Sequence, residues 1–184
     1  AVDLVLLTVG GNDGDFQNVV KNCFVGITDD GDKCNQSIND GFDRAGTIKS
    51  KISHRLEELA VLVPNAKIVL LGYPYPVATG SDSCLYMQTT SSGYTYSAGE
   101  RIRNLADLLE SAQIQAIDQL NTEYKNRFRF VSVKKLFADH EICGSKQYWL
   151  RDTLETFVVS EWWHPNKEGY HAEGNYVYSL GIHN

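Results

Sequence analysis

The run Val2-Asp3-Leu4-Val5-Leu6-Leu7-Thr8-Val9, closed by Gly10-Gly11-Asn12-Asp13, limits the possible fold more than any other stretch of the chain. It is short, almost wholly apolar and ended by a glycine pair, the pattern of a strand buried on both faces. Such strands belong to parallel sheets covered by helices. Two glycines allow the backbone to turn where a side chain would clash. The turn then delivers a carboxamide and a carboxylate to the carboxyl end of the strand, and that edge of an open α/β sheet is where ligands bind.

Two further apolar runs read as strands, Lys67-Ile68-Val69-Leu70-Leu71-Gly72 and Arg129-Phe130-Val131-Ser132-Val133. Helical stripes separate them. One covers 15–25. A second covers 44–63, with Ile48, Ile52, Leu56 and Ala60 recurring, and stops at Pro64. A third covers 97–126, with Ile102, Leu105, Leu108, Leu109, Ile114 and Ile117 expected inward. Strands alternating with helices predict an α/β fold with a parallel sheet. Residues 28–33 carry three aspartates but lack the alternation and final Glu of a calcium loop, so they read as solvated loop. Residues 78–96 read as a long irregular loop walling the crevice. Pro165 is expected at the first position of a last helix.

At 184 residues the chain fits one domain, 1–184. A net charge of −6 argues against a nucleic-acid partner held through phosphates. No apolar run is long enough for a transmembrane segment. The chain opens inside a strand, with neither a start Met nor a signal peptide, and that strand is too apolar for an unprotected edge. An upstream segment of the same protein is therefore expected to supply neighbouring strands, which makes the domain N-terminally incomplete and lacking its first strands. No Cys/His cluster has metal spacing, and no metal or cofactor is expected. The four cysteines then read as disulfides of an oxidising compartment. Three pairings are possible. Cys23–Cys34 with Cys84–Cys143 is preferred, because the first closes a small acidic loop. Chain entropy assigns that loop about 3 kcal/mol and the longer one about 4 kcal/mol. Asn35-Gln36-Ser37 is a glycosylation sequon, relevant if the source is a eukaryotic secretory cell.

Gly10-Gly11-Asn12-Asp13 after a buried strand, followed far downstream by His164-Pro165-Asn166-x-x-Gly169 at a helix start, resembles the SGNH hydrolases, also called GDSL lipases/esterases. Phe137-Ala138-Asp139-His140-Glu141-Ile142-Cys143, with Trp149 shortly after, looks like their secreted, disulfide-bonded branch. The resemblance implies a three-layer α/β/α flavodoxin-like fold, an extracellular location and hydrolysis of carboxylic esters, with an ester substrate as the small-molecule partner. It makes His164 the general base and then the general acid. It assigns Asn12 and Gly10 to the oxyanion hole, with Asp13 in support. Either Glu161, three residues before the histidine, or a main-chain carbonyl orients the imidazole. The nucleophile block of the family is absent. Gly80-Ser81-Asp82-Ser83-Cys84 has similar letters in the wrong order and follows a middle strand, so the serine is expected upstream of Ala1. Against the catalytic roles stand simpler ones: Asn12 as a helix cap, Asp13 as a brace of the turn, Glu161 as a surface carboxylate. Two other functions remain open on sequence: a non-catalytic binding module on a degenerate form of the fold, and an esterase acting on acetylated carbohydrate.

Overall fold

A computed structural model describes residues 2–24, 30–80, 85–151, 158 and 161–182. In chain order the elements are β1 (Leu4–Leu7), α1 (Phe16–Phe24), α2 (Gly31–Leu62), β2 (Lys67–Leu71), β3 (Tyr86–Gln88), β4 (Thr95–Ser97), α3 (Ala98–Glu123), β5 (Phe128–Val131) and α4 (Lys167–Ser179). A short 3-10 turn, Asn12–Gly14, lies between β1 and α1. The main sheet is parallel, in the order β1-β2-β5, with Leu4 beside Lys67 and Ile68 beside Phe128. Helices cover both of its faces, as the α/β expectation requires.

The period of two along β2 decides what each face receives. Ile68 and Leu70 point to α2 and α3, where they pack with Ile52, Leu56, Ile117 and Leu120. Val69 points the other way, to Val131 and to Val177 of α4. The edge strand β1 departs from the expectation of burial on both faces. Val5 and Leu7 join the α2/α3 core, but Leu6 on the opposite face is 47% exposed and Val2 is 52% exposed. Among the described residues β1 has a neighbour on one side only, and α4 reaches no further along it than Leu4.

Helix α2 begins 13 residues earlier than the stripe at 44–63 suggests, at Gly31. Cys34, Ile38 and Gly41 continue the same buried face one turn at a time, and the Asp30 carboxylate caps it by accepting from the Lys33 N–H at 3.2 Å. The expected polar loop at 28–33 is therefore helix from Gly31 onward; residues 25–29 lie outside the description. The Cys23–Cys34 disulfide ties α1 to α2 within a buried cluster. Cys143 is also disulfide-bonded, while Cys84 lies outside the described residues. The sequon is not a loop: Ser37 is buried in α2 and its hydroxyl accepts from Asn22 Nδ2 at 2.7 Å.

The supposed irregular loop at 78–96 contains a hairpin, β3 paired antiparallel with β4. Tyr96 anchors it by donating its hydroxyl to the Gly31 carbonyl at 2.7 Å. Asp32 accepts from the backbone N–H of Thr90 at 2.8 Å and of Ser91 at 3.1 Å. In α3 the buried stripe runs through Ile102, Leu105, Leu109, Gln113, Ile117 and Leu120; Leu108 and Ile114, expected inward, are exposed. They lie about 100° off that stripe, a consequence of the 3.6-residue turn. None of the described helices is long and apolar enough to cross a membrane.

Candidate active site

The turn after β1 is built around Gly10. Its φ of +107° suits glycine, and a Cβ there would meet Ile52 Cδ1 at 2.8 Å. Gly10 O accepts from the N–H groups of Asp13 at 3.2 Å and Gly14 at 3.3 Å. From α3, Gln113 Nε2 donates to the Val9 carbonyl at 2.9 Å, fixing the end of the strand. The Tyr73 hydroxyl accepts from the Gly11 N–H at 3.4 Å, and burial raises the pKa of that phenol. Asp13 pairs with Lys51 of α2 at 3.2 Å. Asn12 caps no helix: Gly11 is the cap of the 3-10 turn, and the Asn12 carboxamide forms no hydrogen bond among the described residues.

His164 arrives from the other end of the chain. An antiparallel bridge between Leu150 and Pro165 holds its segment, with Arg151 N–H donating to the His164 carbonyl at 2.9 Å. Asn166 then caps α4, its Oδ1 accepting from the Gly169 N–H at 3.1 Å while its Nδ2 donates to the Tyr148 carbonyl at 2.9 Å. Pro165 thus precedes the cap and is not the first helical residue, contrary to expectation. Gly169 is required by a close approach, since a Cβ there would lie 2.5 Å from the Trp149 carbonyl oxygen. Each residue of His164-Pro165-Asn166-x-x-Gly169 after the histidine serves to present it.

Asn12 and His164 are both exposed and line one cavity of about 140 Å³ at the carboxyl edge of the sheet. Phe16, Ile48, Leu105, Leu109, Trp162 and Trp163 make much of its wall apolar. Gly11 reaches the cavity, whereas Gly10 is buried behind it. The His164 ring has no hydrogen bond or ion pair among the described residues. The Glu161 carboxylate is paired with Arg151 at 2.8 Å, and only the Glu161 main-chain carbonyl meets the His164 N–H, at 3.3 Å. Ser81 and Ser83 lie outside the description, and no serine lines the cavity among the described residues. No group of His, Cys, Asp and Glu among the described residues is arranged to hold a metal.

Sequence reasoning missed two side chains here. Gln113 lies on the buried stripe of α3, a helical period after Leu109. Glu173 lies on the Gly169–Glu173–Val177 face of α4, is 8% exposed and lines the cavity. Burial alone pushes its carboxyl up to about 7.

A parallel sheet between helices is the α/β architecture of the SGNH hydrolases, and solved structures bear out the fold. The extracellular lipase from Streptomyces rimosus superposes with a TM-score of 0.70 at 24% identity, covering 91% of this chain and 64% of the lipase. The phospholipase A1 from Streptomyces albidoflavus NA297 superposes with a TM-score of 0.70 at 25% identity, covering 97% of this chain and 68% of the phospholipase. The chain thus spans 64% of the length of the lipase it resembles. No protein-family profile and no curated protein matches it.

Proposed function

We propose that this chain carries the histidine and oxyanion-donor half of a secreted carboxylic ester hydrolase that works by a Ser–His acyl-enzyme mechanism. The observation that carries the reading is the convergence of Asn12 and His164 on one apolar-walled cavity, neither side chain being engaged elsewhere among the described residues. In this scheme His164 takes the serine proton as the hydroxyl attacks the ester carbonyl, and returns it to the leaving alkoxide. Water then gives a proton to His164 as its oxygen attacks the acyl carbonyl, and His164 passes that proton to the serine oxygen as the acid leaves. The Asn12 carboxamide donates to the tetrahedral oxyanion, an interaction whose loss costs about 3–4 kcal/mol in such sites. The serine itself is placed in a segment upstream of Ala1. A strand of that segment would pair with the open side of β1, so that the turn after it meets the cavity. The extracellular lipase and the phospholipase A1 that share the fold support a lipolytic or related ester substrate.

The test is hydrolysis of p-nitrophenyl butyrate. The 184-residue chain is expected to match its His164→Ala variant, and turnover above that control would overturn the upstream nucleophile. In the protein extended by its preceding residues, His164→Ala is expected to abolish turnover. Asn12→Ala is expected to lower kcat about 100- to 1,000-fold while leaving KM nearly unchanged. A fully active Asn12→Ala would remove the oxyanion role.

A further inference from the structure

Glu173 is a carboxylate in the wrong place for an ordinary helix residue. It is 8% exposed, it lines the same cavity as Asn12 and His164, and no hydrogen bond or ion pair reaches it among the described residues. A buried carboxylate without a partner is costly, and the cost falls when a cation or proton joins it. Among the described residues neither Lys nor Arg lines the cavity, and the other titratable lining groups are His164, Tyr73 and Tyr170. The sheet residues packed under α4, including Leu4, Val69, Leu71 and Val131, are apolar. What the lining does bring is aromatic. Trp162, Trp163, Tyr73 and Tyr170 all contribute to it. Aromatic faces attract cations, quaternary ammonium groups above all, and do so more strongly once water is excluded.

We propose that the cavity contains a subsite for a quaternary ammonium group, with Glu173 as its counter-charge and Trp162, Trp163, Tyr73 and Tyr170 in its wall. A polyol fits less well, because the wall of the cavity is largely apolar. The consequence for catalysis, a preference for esters that carry a cationic group, rests on the ester-hydrolase reading; the binding does not.

The probe is choline, compared with its uncharged isostere 3,3-dimethylbutan-1-ol, followed by calorimetry and by the fluorescence of Trp162 and Trp163. At about pH 8 a group titrating near 7 is mostly ionised. There choline is expected to bind at least about tenfold tighter than the isostere, and Glu173→Gln is expected to remove that difference. Equal binding of the two probes, no binding of choline, or an undiminished preference in Glu173→Gln would each overturn the subsite. Should Glu173→Gln fail to fold, the pH dependence decides. Measured in a His164→Ala background, so that the imidazole does not contribute, choline affinity is expected to rise with a midpoint near 7, and a flat profile overturns the proposal. Choline binding without ester hydrolysis by the extended protein would retain the subsite and discard the hydrolase. Hydrolysis without choline binding would do the reverse.

Discussion

Asn166 is the residue on which the presentation of His164 depends most. One side chain caps α4, through the Gly169 N–H, and holds the Tyr148 carbonyl of a separate segment. Asn166→Ala is expected to destabilise the protein by about 1–3 kcal/mol, the range for a lost cap plus a buried carbonyl left unpaired, read from urea unfolding. Gly169→Ala is expected to do similar harm by pushing α4 away from the Trp149 carbonyl, and so to disturb His164 without touching it. Glu173 sets a pH dependence. Its carboxyl rises from 4.5 to about 7 on folding, so the folded state holds the proton more tightly than the unfolded state does. Stability is full below 4.5 and falls as pH rises through 7; thermal melts of Glu173→Gln are expected to lack that decline. At this scale the sequence was readable where a residue type has a narrow use. Asn12, His164, Asn166 and Gly169 stood out in motifs. Glu173 and Gln113 did not, because a polar residue on a helix looks the same whether it faces water or a cavity.

Among the elements, α2 and the β3–β4 hairpin show how local pattern and packing share the decision. Periodicity located the apolar half of α2, but its first three turns contain two Asp, two Asn and two Gly, which hide the Cys34–Ile38 face. That face is buried by the disulfide to α1 and by Tyr96 of the hairpin. Breaking the Cys23–Cys34 bond, by a double Cys→Ala substitution, is expected to cost about 3 kcal/mol in urea unfolding. The hairpin is short and polar, below the size that holds alone in water. It forms because Gly31, Asp32 and the α2 N-terminus offer partners for Tyr96, Thr90 and Ser91. The Ser91 and Thr90 hydroxyls hold the Asp32 carboxyl down to about 2. Asp32→Ala is accordingly expected to speed amide hydrogen exchange across 86–97 while leaving β2 and β5 protected.

At the scale of the molecule, the side of β1 that no described strand covers is the dominant feature. Unpaired among the described residues and with Leu6 exposed, this apolar edge is a template for strand addition. Leu6→Lys is expected to reduce association of the isolated chain, measured by light scattering, and to weaken the joining of any strand that normally covers it. The sequence by itself determined the class of fold and the two ends of the candidate site. Alternating apolar runs demand a parallel sheet between helices, and a glycine turn and a capped histidine segment need particular residue types in a particular order. Only the tertiary structure decided the strand order, with β1 and β5 outermost among the described residues, that Asn12 and His164 share a cavity, and that a buried Glu173 stands beside them. Those facts depend on which surfaces of distant elements meet. Local patterns fix how each element folds and carry little information about its neighbours.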